Sequence, residues 1–164
     1  MTVTNVRKDA DAATMEITSE YDAATDQVWR LWDDPRLLER WWGPPMYPAT
    51  VVQHELTPGG TVRYFMTSPE GERFHGLWDV RDVEPAKLIL VDDKFADEDG
   101  NVNQELPITA MQVTLTERES GGTTMTIRST FASPEEMAKT LEMGVEEGMR
   151  QALGQTDALL AGAS

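Results

Sequence analysis

Seven segments of the chain alternate apolar and polar residues with a period of two, which is typical of β-strands with one buried face. The first runs from Met15 to Tyr21, where Met15, Ile17 and Tyr21 alternate with charged and polar residues. The other six are separated by turn residues and are Thr50–Leu56, Thr61–Thr67, Arg73–Val83, Leu88–Asp92, Thr109–Glu117 and Thr124–Phe131. Because hairpin-length connections without helices join these six, the pattern predicts a curved antiparallel sheet of about six to seven strands.

Two short helices are predicted between the first two strands. Thr25 is a candidate N-cap for a helix over 26–32. Asp34 caps a second helix with Pro35 at its first position, where the missing N–H costs nothing. This helix must end at Gly43-Pro44-Pro45, since proline cannot continue it.

The segment from Ser133 onward has a helical period instead. Ser133, Pro134 and Glu136 form a strong helix start, with a serine cap and a glutamate three residues after it. Apolar or small residues then recur every three or four positions, at Met137, Leu141, Val145, Met149, Leu153, Thr156 and Leu160. We expect one long helix of about 27 residues, roughly 40 Å in length, with its apolar stripe against the sheet.

The predicted fold class is therefore α+β, with the sheet wrapped around the long C-terminal helix and the two short helices closing one end. At 164 residues the chain has the size of a single domain, over 1–164 with a core at about 15–161. The polar stretch 1–13 is expected to be frayed.

Charge and composition exclude several classes of function. Fourteen basic and 29 acidic residues give a net charge of −15, which disfavours binding to nucleic acid or anionic lipid. The absence of cysteine excludes disulfides, thiolate nucleophiles and cysteine-ligated metals. The N-terminus does not read as a signal peptide, and no apolar run reaches the roughly 18 residues of a membrane span. We expect a soluble cytoplasmic protein without membrane insertion; its acidity is also compatible with a high-salt habitat.

Catalytic and metal-binding patterns are weak. The common nucleophile, zinc and phosphate-binding motifs do not occur, and the acidic loop around Gly100 fails the EF-hand template. His54 is expected on the surface or rim, and His75 on the outward face of its strand. Neither cofactor nor metal nor catalytic residue is predicted.

The strongest candidate is an apolar pocket between helix and sheet. Methionines and aromatic residues are adaptable to irregular apolar ligands. The candidate ligand-binding residues are Trp41, Trp42, Tyr64, Met66, Phe74, Gly76, Trp78, Met111, Val113, Met125, Met137, Leu141, Val145 and Met149. An entrance is expected between 41–44 and the helix, with Tyr64 and Trp78 as polar tips inside. Gly144 and Gly148 leave out side chains near the apolar stripe, either for a cavity or for close packing of backbones.

Three segments carry a family resemblance. The run TDQVWRLWDDPRLLERWWGPP (25–45), the segment PGGTVRY (58–64) and the segment GERFHG (71–76) closely resemble the family named for the activator of heat-shock-protein-90 ATPase. Glu146-Glu147-Gly148-Met149 is similar to its C-terminal helix signature, although methionine stands where tryptophan often follows the glycine. The resemblance extends from about Met15 to Leu160.

The resemblance implies a START-like (SRPBCC) helix-grip fold with a cavity between the long helix and the sheet. Superfamily relatives bind lipids, sterols, polyketides or plant hormones, and some catalyse cyclisation or aromatisation. The leading hypothesis is a non-enzymatic binder of an unidentified small hydrophobic molecule. The alternatives are a cyclase or dehydratase using Tyr64 or His75, and a protein–protein module, including a co-chaperone in a stress response. A homodimer is left open.

Overall fold

Eight antiparallel strands form one sheet in the computed structural model, which describes residues 3–162. The strands are β1 (Val3–Asp9), β2 (Thr14–Tyr21), β3 (Ala49–His54), β4 (Thr61–Thr67), β5 (Arg73–Glu84), β6 (Leu88–Ala96), β7 (Thr109–Glu117) and β8 (Thr123–Thr130). The helices are α1 (Thr25–Asp33), α2 (Pro35–Leu38), α3 (Pro134–Glu142), α4 (Val145–Leu153) and α5 (Thr156–Gly162). The α+β helix-grip architecture expected from the sequence is confirmed.

The strand order is β1-β2-β8-β7-β6-β5-β4-β3. Alternating burial along β2 and β8 places one face against the core, as the period of two predicts. Register shifts occur at Val52 in β3 and at Arg81 in β5. Such bulges bend a strand and increase its twist, so they help to curve the sheet around the helices.

The N-terminal stretch corrects the expectation of fraying. Residues 3–9 form edge strand β1 on β2, and the sheet therefore has eight strands instead of six to seven. Only Val3 and Val6 pack against the core, so this strand lacks the alternation that identified the others. Backbone pairing with β2 and an ion pair between Lys8 and Glu146, at 2.6 Å, hold it in place. Residues 1, 2, 163 and 164 lie outside the described residues, and so does the part of the fraying prediction that concerns residues 1 and 2.

The helix caps largely follow the sequence. The Asp34 side chain accepts a hydrogen bond from the Arg36 backbone N–H, and Ser133 accepts one from Glu136. Ala24, and not Thr25, occupies the N-cap of α1. Helix α2 ends at Leu38, earlier than expected, and turns then bring the indole rings of 41 and 42 into the core.

The C-terminal region is three helical segments, in contrast to the single long helix that the periodicity predicts. Gly144 has φ +86°, a left-handed conformation that ends α3 and starts α4. The backbone N–H of Gly144 bonds to the Leu141 carbonyl and closes the last turn of α3. The buried Tyr21 hydroxyl meets the Thr156 hydroxyl at 2.9 Å and ties α5 to the sheet. Within 3–162, no helix combines the length and apolar character needed to cross a bilayer.

Four tryptophans close one end of the structure. Trp32 from α1 is fully buried and meets Trp41 edge to face at a centroid distance of 4.8 Å. Trp42 meets Trp78 of β5 in the same geometry, also at 4.8 Å. We call these four residues the tryptophan cluster; it forms the closed end of the space between helices and sheet.

Candidate ligand-binding cavity

A cavity of about 290 Å³ lies between the inner face of the sheet and helices α3 and α4. Strands β4 to β8 supply one wall, and the α3–α4 junction supplies the other. The lining residues are Trp42, Pro44, Tyr64, Met66, Phe74, His75, Asp93, Phe95, Thr109, Met111, Ser129, Phe131, Thr140, Met143, Gly144, Val145, Gly148 and Met149. The volume is near the lower end of the range for small-molecule sites, roughly 300–1,000 Å³.

Two glycines of the helical wall leave the cavity open. No atom of residues 3–162 lies within 4 Å of the position that a Cβ would take at Gly144 or Gly148, apart from the immediate chain and helix neighbours. Gly148 is helical, so an alanine there would favour the helix by roughly 1 kcal/mol. Of the two explanations that the sequence allows for these glycines, open space fits this geometry better than close packing.

The mouth of the cavity is marked by lining residues that also reach solvent. Phe74 is 49% exposed and Met143 is 57% exposed, although both line the cavity. Phe74 also packs near Tyr47, with ring centroids 6.1 Å apart. Large apolar side chains at an opening are suited to contact with an apolar molecule as it enters.

A polar pair occupies the inner part of the cavity. The Tyr64 hydroxyl of β4 donates a hydrogen bond to Asp93 Oδ1 of β6, at 2.9 Å. Asp93 follows Ile89 and Val91 on the inward face of β6, and it lies between Trp78 on β5 and Thr109 on β7. Asp93 therefore occupies an inward-facing position in the alternation of β6, and its carboxyl group lies in the cavity wall.

Burial shifts the titration of both groups. Burial raises the pKa of the Asp93 carboxyl to about 7, although the hydrogen bond from Tyr64 opposes this rise. Burial, followed by the nearby Asp93 charge, raises the pKa of the Tyr64 hydroxyl well above its usual range. Tyr64 is therefore neutral near pH 7, whereas Asp93 changes its charge there.

Two indole N–H groups lie beside this pair. The Nε1 atoms of Trp42 and Trp78 are buried and make no hydrogen bond of normal geometry to any residue of 3–162. Both lie close enough to the Tyr64 hydroxyl to favour its ionised form. The cavity wall thus combines the Asp93 carboxyl group, the Tyr64 hydroxyl group and the Trp42 indole, whose N–H has no partner within 3–162, and the Trp78 indole lies behind them.

The absence of a side chain at Gly76 makes room for the ring of Tyr64. It faces Tyr64 across the β4–β5 pair, and a Cβ at Gly76 would lie 2.5 Å from the Tyr64 hydroxyl oxygen and 2.6 Å from the ring carbon Cζ. The tyrosine ring therefore lies across the backbone of β5, in the space that a side chain would fill. A glycine within a strand permits this kind of close approach by another group.

Gly76→Ala is expected to destabilise the protein by about 1–3 kcal/mol, because the rigid ring of Tyr64 must move out of a packed site. The same movement should break the hydrogen bond to Asp93. Urea unfolding measures the free energy. Gly148→Ala is the control: its methyl enters open space, and it should stabilise by roughly 1 kcal/mol. A Gly76→Ala variant within about 0.5 kcal/mol of the parent would contradict the argument.

The structure places half of the sequence-predicted binding residues on the cavity wall. These are Trp42, Tyr64, Met66, Phe74, Met111, Val145 and Met149. Two residues of the predicted entrance at 41–44, Trp42 and Pro44, also line the cavity.

The other seven candidates are not among the residues that line the cavity. Trp41 and Trp78 belong to the tryptophan cluster, and Gly76 accommodates the ring of Tyr64. The remaining ones pack in or against the core beneath the wall and are Val113, Met125, Met137 and Leu141. These side chains lie on the inner side of the structure, as their apolar periodicity predicts. A periodic apolar pattern, however, does not distinguish a tightly packed layer from the wall of a cavity.

Sequence reasoning missed the polar lining residues. Asp93 was overlooked because strand β6 was expected to end at Asp92, whereas it continues to Ala96. Continuing the alternation from Ile89 and Val91 by two residues would have identified it. His75 was expected on the outward face of its strand. Its ring packs at 5.4 Å against Phe65, which alternates on β4 with the inward Tyr64 and Met66, and His75 also borders the cavity.

Neither histidine indicates a metal centre. His54 is half-buried, with Nε2 2.9 Å from the Trp32 carbonyl oxygen. Among residues 3–162, no three histidine, aspartate or glutamate side chains converge as metal ligands would.

Comparison with known proteins identifies the family. The family model described as "Activator of Hsp90 ATPase homolog 1-like protein" matches residues 22–161. A crystal structure of a protein from Mycobacterium smegmatis is 47% identical, covers 96% of each chain and has a TM-score of 0.88. A solution structure of a protein from Arthrobacter aurescens is also 47% identical, with a TM-score of 0.93, covering 99% of this chain and 94% of that one.

A more distant structure shows the same fold. An AHSA1 protein from Silicibacter pomeroyi is 20% identical, with a TM-score of 0.71 over 91% of this chain and 98% of that chain. Among curated proteins, none matches. The family match covers most of the chain and agrees with the helix-grip sheet and its cavity; the chain therefore belongs to the Activator of Hsp90 ATPase homolog 1-like family.

Proposed function

We propose that this protein binds a small, mostly apolar molecule in the cavity between the sheet and helices α3 and α4. The observation that carries the proposal is the 290 Å³ space walled by methionine and aromatic side chains, with Gly144 and Gly148 in its helical wall. Filling that space would stabilise the helix and the core, so its persistence supports a binding role. Membership of a family with a ligand-binding fold also supports it.

The apolar and the polar lining residues make different contributions to binding. Met66, Met111 and Met149 offer flexible, polarizable contacts that adapt to an irregular apolar body. Tyr64 and Asp93 offer a polar anchor at the inner end. Small-molecule sites of this kind obtain affinity from apolar burial and orientation from a few placed polar groups.

Gly148→Phe is expected to abolish binding, because the added ring projects from α4 into the cavity. Candidate ligands are small aromatic and alkyl compounds, titrated while the indole N–H resonance of Trp42 is followed by NMR. The parent should show saturable shifts at Trp42, whereas Gly148→Phe should show none.

The matched control is Gln151→Phe, which adds the same ring to an exposed position of α4. It should bind like the parent. Retained binding in a folded Gly148→Phe variant, or a parent that responds to no compound, would contradict the proposal.

A catalytic role is the second candidate, since Tyr64 faces the cavity and has a partner within hydrogen-bond distance. It ranks second because the hydroxyl proton is already donated to Asp93 and the pKa of Tyr64 is strongly raised, which makes it a poor acid. A chaperone partner, a homodimer, a stress-response role and a cytoplasmic location stay predictions of the sequence.

A further inference from the structure

Among residues 3–162, the cavity lining includes one acidic side chain and no arginine or lysine. Asp93 is the only carboxylate among the lining residues within 3–162, and His75 is the only other titratable side chain besides Tyr64. The protein as a whole carries a charge of −15. A negative surface raises the local concentration of cations and disfavours anions.

Asp93 has no cationic partner among the described residues. The neighbouring carboxylates on the outer face do: Asp92 pairs with Arg81 at 2.7 Å, and Asp79 pairs with Lys94 at 2.6 Å. Within 3–162, the Asp93 carboxyl group receives the hydrogen bond of Tyr64 at Oδ1 and no second hydrogen bond or ion pair. Asp93 is half-buried, and a charge that is partly withdrawn from water is costly unless it is paired. The site therefore lacks a positive charge that a ligand can supply.

The Tyr64 hydroxyl group favours negative charge at Asp93. Tyr64 donates its proton in a hydrogen bond to Asp93 Oδ1, which stabilises the ionised carboxylate. That carboxylate lies in the cavity wall.

Three aromatic side chains share the cavity wall with Asp93. Phe95 follows Asp93 by two residues on the same face of β6 and lines the cavity with Trp42 and Tyr64. The Trp42 and Tyr64 ring centroids are 6.0 Å apart. Aromatic faces attract cations, and the attraction increases when the site is desolvated.

We propose that the ligand class of this cavity is a primary or substituted amine with a small apolar body. Its protonated nitrogen lies against Asp93 and the rings of Trp42, Tyr64 and Phe95, and its body lies among the methionines. This inference rests on the proposed function, because it names the ligand class of the same cavity.

The proposal requires amine affinity to rise with pH. Asp93 must be ionised to pair with the nitrogen, and burial raises its pKa to about 7, so the ionised form is scarce at pH 5.5 and dominant at pH 8. Tyr64 stays neutral across this range, and the hydroxyls of Thr109, Ser129 and Thr140 do not titrate. His75 is tested separately by His75→Gln.

Three probes with one skeleton test the ligand class by calorimetry and by the Trp42 indole resonance: phenylbutylamine, phenylbutanol and phenylbutyrate. We expect the amine to bind at least about tenfold more tightly than the alcohol at pH 8 and to lose most of this advantage at pH 5.5. The carboxylate should bind weakest. The Asp93→Asn variant should reduce the difference in affinity between the amine and the alcohol to less than about threefold at pH 8.

Matched variants isolate the carboxylate. Asp92→Asn removes the neighbouring carboxylate from the outer face and should leave the preference for the amine unchanged. The His75→Gln variant should retain the rise of amine affinity with pH. Tyr64→Phe removes the hydrogen bond that lowers the pKa of Asp93, so the pH midpoint of amine binding should move upward. This variant tests the proposal independently if Asp93→Asn does not fold.

The outcomes separate the two proposals. Equal affinity for amine and alcohol, with Trp42 shifting for both, overturns the amine inference and leaves a cavity that binds apolar molecules. A preference for the carboxylate, or an amine affinity that rises as the pH falls, also overturns it. If none of the probes shifts Trp42 and a wider set of neutral compounds also fails, the proposed function itself falls.

Discussion

Asp93→Asn is expected to stabilise the ligand-free protein by about 4 kcal/mol more at pH 8 than at pH 4. The reason is the pKa of this carboxyl, about 7 in the folded protein against an ordinary value of 3.8. Each pH unit between the two values corresponds to about 1.4 kcal/mol of differential stability. Asparagine retains an oxygen that can accept the Tyr64 hydrogen bond but carries no charge.

The sign follows from the protons bound in each state. Well below pH 4 the carboxyl is protonated in both states and carries no penalty. Between pH 4 and 7 the unfolded chain ionises Asp93 while the folded protein keeps the proton, so the stability of the parent falls as the pH rises. Above pH 7 both states are ionised and the penalty is complete.

The measurement is the free energy of unfolding in urea from pH 4 to 8, taken as the difference between variant and parent. The difference removes the general repulsion of the acidic chain, which both proteins share. Asp92→Asn, which loses a pair with an exposed arginine, should change stability by less than about 1 kcal/mol at any pH. A difference for Asp93→Asn that does not change with pH would show that Asp93 is hydrated in the folded protein.

Trp32→Ala is expected to cost about 3–5 kcal/mol, the range for removing a large buried aromatic side chain. Trp32 is fully buried and contacts Trp41, Trp42 and Trp78, with centroid distances of 4.8 to 6.0 Å. Its Nε1–H also points to Met125 Sδ at 3.3 Å. Its loss leaves a void behind the two indoles that flank Tyr64.

Urea unfolding with near-ultraviolet circular dichroism measures both the stability and the order of the tryptophan cluster. Tyr47→Ala is the control, because Tyr47 is 38% exposed and lies at the rim; we expect a change of about 0.5 kcal/mol or less. Trp32→Ala should also weaken cavity binding by loosening Trp42. Destabilisation below about 1 kcal/mol would mean that the cluster does not contribute to the core as described.

Much of the fold could be predicted from local signals. The boundaries of β4 and β7 were predicted to the residue, because alternation and flanking turns delimit them clearly. The caps at Asp34 and Ser133 formed as expected, since capping depends on a few adjacent residues. Strand β1 was missed because its stability comes from pairing with β2 and not from an apolar alternation of its own.

The site was less predictable than the fold. Parity assigned side chains to the inner face, but the distinction between Met111 on the cavity wall and Met125 in the packed layer depends on the curvature of the sheet. The break at Gly144 was hidden because the apolar spacing continues through it. Asp93 was missed because charge usually marks the end of a buried strand, and here it does not.

The sequence by itself determined the strands, the capped helices, the strongly acidic character and the inward set of methionine and aromatic residues, because each depends on neighbours along the chain. Only the tertiary structure decided which inward residues surround an open space, where the C-terminal helix breaks and that Tyr64 meets Asp93. Those features depend on contacts between distant strands and helices, and a local pattern of polarity does not encode the distance between two buried groups.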